Sequence, residues 1–293
     1  MEYSTSAHAK FILTGEHSVL RGGGALVFPL NSKQVKLNYT STPDLLTVSF
    51  SGESEESMSI IFWGLLDSAL TLIGRYGEVI KGKIYIENSI PLGMGLGFSA
   101  AICVVLTKFF ISLGWIEEGN LVAFATKLED YFHGKSSGID VLGVTSDECV
   151  FFSGGSAKKN LVLPWRPKFY LMYTGHVSVT AKCIKKVQNL ALSDQCYATD
   201  IDNEMSKSVL LAKEALELGE EGFEQLCASM EAAQLCFEKW GLVPPAVSDK
   251  IAFMKQNGAA AVKLTGAGDG GYLLGIWRQS PVGSLKDILL ELN

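Results

Sequence analysis

The alternation of apolar and polar positions divides the chain into a strand-rich first half and a helix-rich second half. Lys10-Phe-Ile-Leu13 and the run after Gly22 read as strands within 8–52, and Val35, Leu37 and Tyr39 alternate with polar neighbours as in a half-buried strand. Helical spacing follows over 55–75, ending near Gly77. Lys83-Ile-Tyr-Ile-Glu87 then alternates as a strand and leads, through a glycine-rich turn, into an apolar helical run at 100–113. Asn120 is placed to cap a helix reaching about Phe132, whose apolar stripe is Leu121, Phe124, Ala125, Leu128 and Phe132, with Glu129 beside it. A loop over 135–140, a strand over 148–152, a Gly-Gly turn and a short run at 161–164 complete this half.

Beyond Pro164 the pattern changes. Phe169-Tyr-Leu-Met-Tyr173 predicts a strand, and helical patterns recur at about 180–192, 203–218, 221–240 and 245–257. The third carries Phe223, Leu226, Met230, Ala233 and Phe237 at helical spacing, a core stripe. Strands at 259–264 and 271–277 flank Thr265-Gly-Ala-Gly-Asp-Gly270, and a last helix starts at Ser284, with Asp287 completing a capping box. There is no fixed-period repeat. Segregated β-rich and α-rich halves predict an α+β protein of two domains, 1–164 and 165–293.

Composition narrows the function classes. A chain of 293 residues with 47% hydrophobic and 19% charged residues has ample core for a globular protein. The net charge of −6 excludes generic binding to nucleic acid or to an anionic membrane, so an anionic ligand needs a local site. The six cysteines lie mostly in apolar runs without metal-type spacing and read as reduced. The first residues, Met-Glu-Tyr-Ser-Thr-Ser, show neither a basic region nor an apolar signal core, and the apolar runs are too short to span a bilayer. The expected location is the cytoplasm.

Four polar clusters interrupt the apolar pattern. Pro91-Leu-Gly-Met-Gly-Leu-Gly-Phe-Ser-Ala-Ala101 sits between a strand and a helix, where backbone N–H groups and the helix dipole can cradle a phosphate. A plain tight turn has the same look, and the motif is neither a Walker loop nor a dinucleotide fingerprint. Lys10 with Glu16-His17 is either site chemistry or a surface strand lysine with a turn. Glu129 with Asp140 is either a pair of working carboxylates or solvated ones, and His133 reads as a C-cap. Gly266 to Gly271 is either a hairpin turn or a second backbone platform. Jointly they supply the parts of phosphoryl transfer: an anion cradle, hard oxygen ligands for a divalent metal, a cation, and a carboxylate for the acceptor hydroxyl.

In this order the motifs resemble those of the GHMP small-molecule kinases. The 91–101 stretch is similar to the second family motif, Lys263-Leu-Thr-Gly-Ala-Gly-Asp-Gly-Gly271 to the third, and Ala7-His-Ala-Lys-Phe-Ile-Leu-Thr-Gly-Glu-His-Ser-Val-Leu20 to the first. The resemblance implies an N-terminal α/β domain with a left-handed βαβ crossover and a ferredoxin-like C-terminal domain. It implies ATP and Mg²⁺, a small-molecule acceptor and a possible homodimer. Asp140 would be the catalytic carboxylate and Lys10 its partner. Gly93, Met94, Gly95, Leu96, Gly97, Phe98 and Ser99 would wrap the phosphates, and Ser99 and Glu129 would hold the metal. Glu16, His17 and Thr180 would lie near the acceptor, and Gly266, Gly268 and Gly270 would brace the phosphate loop. The Gly-Glu-His of the first motif and the run Glu129, His133-Gly134, Ser137-Gly138, Asp140 imply (R)-mevalonate as the acceptor. Phosphomevalonate, a sugar or a catalytically silent relative are the alternatives, and Lys182, Lys185 and Lys186 are either a phosphate-binding cluster or a solvated face. Four departures stand out: His8-Ala9 for Pro-Gly, Phe98 for a serine, Ser136 for a proline, and Thr180-Ala-Lys182 for Ser-Thr-Lys.

Overall fold

A computed structural model of the chain describes residues 1–134, 136–153 and 158–292, without the side chains of residues 133, 158, 284 and 287. The C-cap reading of His133, the Gly-Gly turn and the Ser284–Asp287 capping box therefore lie outside the described residues. The chain forms two compact units. The first gathers Met1–Lys10, Pro29–Leu92 and Leu96–Ser146; the second gathers Phe11–Phe28, Gly93–Gly95 and Asp147–Asn293.

β1 (Glu2–Thr14) pairs with β2 (Ala25–Leu45), and the first unit takes β1 as far as Lys10 and β2 from Pro29 onward; within it β3 (Thr47–Gly52) runs into α1 (Glu55–Leu72), and β4 (Lys81–Asn88) returns parallel to β3. β4 also pairs antiparallel with β2, Leu37 opposite Ile86. Its alternating burial puts Ile84 and Ile86 inside, as the sequence period requires. The central element is α2 (Phe98–Ser112). Its residues from Ala100 to Thr107, with Phe109 and Phe110, are buried, as befits a helix apolar all round. α3 (Leu121–His133) packs on it, and so does the short α4 (Ile139–Val144). The Phe109 ring meets Tyr39 at 4.9 Å and Phe110 at 5.6 Å.

The second unit includes β5 (Cys149–Phe152), which pairs with β2 at Val27 and with β6 (Lys158–Leu161). Its four-stranded sheet comprises β7 (Lys168–Tyr173), β8 (Ala261–Thr265), β9 (Tyr272–Trp277) and β10 (Leu290–Leu292). The spatial order is β10-β7-β9-β8, with each adjacent pair antiparallel. Between β7 and β8 run α5 (Thr180–Ser193), α6 (Gln195–Glu217), α7 (Phe223–Lys239) and α8 (Pro245–Gln256), and α9 (Ser284–Ile288) precedes β10. This is the split βαβ arrangement of a ferredoxin-like sheet, elaborated with extra helices. The α+β expectation is borne out. The stripe of α7 is core: Phe223, Leu226, Met230, Ala233 and Phe237 are all buried.

Several boundaries differ from the sequence pattern. β1 begins eight residues before Lys10, because partner β2 supplies hydrogen bonds where side-chain alternation is weak. α6 starts at Gln195 instead of 203, where the Asp194 carboxylate accepts from the Tyr197 N–H at 3.0 Å. Asn120 ends a 3-10 turn over Glu118–Asn120 and its side chain caps nothing. Residues 139 and 140, expected in a loop, open α4. Among the described residues no helix is long and apolar enough to cross a membrane, and five of the six unpaired cysteines are buried.

Phe109→Ala should cost the protein about 3–5 kcal/mol, the usual price of emptying a filled aromatic site. A urea titration that leaves the midpoint in place would contradict the central position given to α2.

Candidate active site

In the first unit the site is built around a lysine that water cannot reach. Lys10 is 1% exposed at the end of an apolar stretch of β1. A buried ammonium needs a compensating charge, and Asp140 Oδ1 supplies it 2.8 Å from Nζ. Asp140 stands in the first turn of α4, which Gly138 opens with φ of 77°. The Lys10 backbone N–H donates to the Leu96 carbonyl at 3.0 Å, fastening β1 to the loop before α2. Gly97 closes that loop with φ of 81°, and a Cβ there would lie 2.8 Å from Lys10 Cγ. Only glycine lets the lysine stem pass.

Phe98, which stands where the resembling motif has a serine, is buried as the first residue of α2. Ser99 follows in the same turn, where the positive helix end favours an anion. Its hydroxyl donates to Glu129 Oε1 at 3.2 Å, and Ser136 donates to Glu129 Oε2 at 2.5 Å. Ser136 Oγ also accepts from the Gly138 N–H at 3.1 Å. Glu129, far from being solvated, is 1% exposed. Burial, then repulsion from Asp140, push its carboxyl up to about 7, against the pull of Ser136, Lys10 and Ser99.

These oxygens suit a divalent cation. Mg²⁺ prefers hard oxygen, keeps several waters and takes one or two protein ligands beside phosphate. Ser99 and Glu129 supply that number, and a carboxylate held back from ionising at neutral pH is one that a cation would favour. Among the described residues, no group of three or more His, Cys, Asp or Glu is placed to hold a metal by itself.

The second unit carries the rest of the expected residues. Gly95 packs against the 265–271 turn so closely that a Cβ on it would lie 2.9 Å from the Thr265 carbonyl oxygen, and one on Gly266 would lie 2.9 Å from Gly95 Cα. Gly93 accepts from the Ser178 N–H at 3.0 Å, and Gly271 approaches Met94. Gly268 and Gly270 face elsewhere, toward Leu242 and Phe237 and toward His176. Thr265 Oγ1 receives the Ile12 N–H at 3.1 Å and donates to the Ile12 carbonyl at 2.9 Å.

Glu16 and His17 are both buried here. The Glu16 carboxylate meets Lys263 Nζ at 2.5 Å. His17 has φ of 58° and ψ of −46°, and the Ser18 N–H donates to the Glu16 carbonyl at 2.6 Å. This is a γ-turn of the rare positive-φ kind, a strain of about 1–3 kcal/mol. His17 Nε2 lies 2.8 Å from the Ala267 carbonyl oxygen, which can only accept, so Nε2 carries the hydrogen and Nδ1 is bare. Burial lowers the ring's pKa to about 4, so it is neutral at physiological pH. Thr180 is half-buried as the first residue of α5; Lys182 and Lys185 on that helix are exposed, and Lys186 donates to the Gly241 carbonyl.

Two site residues escaped the sequence reading. Lys263 was part of a motif without a role, although it is the only charge in the buried strand Ala261–Thr265. Ser136 was seen only as a missing proline; nothing in its neighbours signals that its hydroxyl reaches Glu129.

Residues 64–148 match the family described as GHMP kinases N terminal domain. The chain is 29% identical to the mevalonate kinase of Thermococcus sibiricus over 96% of this chain and 92% of the relative. It is 28% identical to the mevalonate kinase of Archaeoglobus fulgidus, over 95% and 94%. Its fold matches that of L. major mevalonate kinase, solved in complex with R-mevalonate, with a TM-score of 0.79 at 20% identity, covering 95% of this chain and 88% of the other. The resemblance to GHMP kinases read from the motifs is thereby borne out.

The two perturbed groups have opposite effects on stability. Glu129, raised from 4.5 to about 7, binds its proton more tightly when folded, so its contribution falls as pH rises through that range. His17, lowered from 6.5 to about 4, contributes stability that is complete above 6.5 and lost toward 4. Each is worth on the order of 3 kcal/mol, and between pH 4.5 and 6.5 they offset one another. Glu129→Gln should therefore be the more stable protein at pH 7 and lose that advantage as pH falls from about 7 to 4.5, as read by urea denaturation across pH.

Proposed function

We propose that this GHMP kinase transfers the terminal phosphoryl group of ATP to the primary hydroxyl of (R)-mevalonate, giving 5-phosphomevalonate and ADP. The observation that carries the chemistry is the ion pair of buried Lys10 with Asp140, 2.8 Å apart. The choice of acceptor is supported by near full-length relatedness to mevalonate kinases and by the Gly15-Glu16-His17 sequence.

In this reading residues 93–99 hold the phosphates through backbone N–H groups, aided by the positive end of α2. Asp140 orients the acceptor hydroxyl and takes its proton as the oxygen bonds to the γ-phosphorus and the bridging bond to ADP breaks. Lys10 holds the Asp140 carboxylate in place and offsets charge that develops on the transferring group. Ser99 and Glu129 would hold Mg²⁺, which when bound neutralises phosphate charge. Little covalent participation is required of the protein; positioning and electrostatics supply the rate. The division of labour between residues 1–164 and 165–293 and a cytoplasmic location belong to the proposal through the sequence pattern, and a homodimer through the family resemblance alone.

Asp140→Asn should lower turnover by roughly 10²–10⁴ while ATP binding, followed by calorimetry, stays close to normal. An Asn variant with near-normal ADP release would remove Asp140 from its role. Coupled ADP release should be fast with mevalonate and slow with phosphomevalonate, homoserine and galactose. A response to a sugar alone would defeat the acceptor assignment and leave the kinase standing.

A further inference from the structure

We infer that Lys263 is a positioning residue for the acceptor: its buried ammonium fixes Glu16, and through Glu16 the strained turn that presents the His17 ring. The inference rests on the acceptor reading above.

The turn is pinned at each residue by a different element. The Gly15 N–H donates to Met205 Sδ on α6 at 3.4 Å. Glu16 is held by Lys263 on β8, and His17 by the carbonyl of Ala267 in the 265–271 turn. Lys263 is 0% exposed, donates also to the Leu264 carbonyl, and has its Nζ 5.3 Å from the centre of the Phe237 ring. Phe237 and Trp240 in turn meet the His17 ring edge-on at 6.1 and 5.2 Å. The same few residues thus hold the ring and the carboxylate that precedes it.

A buried ion pair is a poor device for stability alone, because apolar groups of similar size often serve as well. It is a good device for imposing one geometry on a backbone that would otherwise relax. His17 occupies such a backbone, and strain of this kind persists only where its surroundings over-determine it. Of the pins, the Lys263–Glu16 ion pair is the strongest, since it is charge-assisted and shut off from water. What it secures is a neutral ring with one nitrogen committed to Ala267 and the other bare. The charged groups that act on the ring, Arg21 and Asp202, are paired with each other and act on it in opposite senses.

The test uses the full-length enzyme with Lys263→Met and with the double replacement Glu16→Met/Lys263→Met, which removes both charges and so leaves none buried alone. Two readouts are taken: KM for mevalonate against KM for ATP, and the His17 ring by ¹⁵N NMR over pH. The expected result is a rise of about tenfold or more in the mevalonate KM, with the ATP KM within about twofold, in either variant. With it, the ring should lose its fixed Nε2–H form and titrate nearer 6.5 than 4. A folded double variant whose His17 spectrum matches the parent overturns the inference whatever the kinetics. A released ring with an unchanged mevalonate KM overturns it as well. If the parent enzyme turns over no mevalonate, the acceptor reading fails separately, and the NMR result still decides whether Lys263 holds the turn.

Discussion

A lysine ammonium cannot be buried without a partner, and much of the first unit follows from satisfying that requirement at Lys10. Asp140 must face it, so the chain after α3 turns at Gly138 and begins a new helix with the carboxylate in its first turn. The lysine stem must pass the start of α2, so residue 97 has no side chain. The neighbouring carboxylate of Glu129 then sits under pressure to stay protonated, held by two serine hydroxyls and near a like charge. Each feature is a separate stretch of sequence, yet the buried charge links them.

The second unit repeats the theme with a different purpose. Lys263 and Glu16 are also a desolvated pair, but their surroundings are a sheet strand and a turn instead of helix ends. There the charge pair joins a turn to a strand, while in the first unit it joins a strand to the first turn of a helix. Both pairs join residues more than a hundred positions apart, and neither depends on surface salt bridges of the kind that contribute little.

Legibility in the sequence followed the range of the interaction. Helices with strong apolar period, such as α1 and α7, and the glycine turns were readable because their causes lie within a few residues. The motifs that resemble those of GHMP kinases made Lys10, Ser99, Glu129 and Asp140 readable as one group from sequence. β1 before Lys10 and the first turns of α6 were not readable, since a distant partner strand and a single capping carboxylate decide them. Lys263 was visible as a lone charge in an apolar strand, but its partner lies 247 positions away. Ser136 gave no local sign at all. The left-over polar residues of buried strands are the ones worth pursuing in a chain of this kind.

The contact between Gly95 and Gly266 limits how this molecule can change over time. When a large side chain crowds a small one, a second substitution elsewhere usually restores the fit. Here both partners already have the smallest side chain available, and backbone faces backbone. A larger residue at either position meets an opponent with nothing left to give up. The two loops are therefore locked together in sequence as well as in space, and variation in this part of the chain has to be sought at Leu96, Met94 or Ala267 and not at the glycines between them.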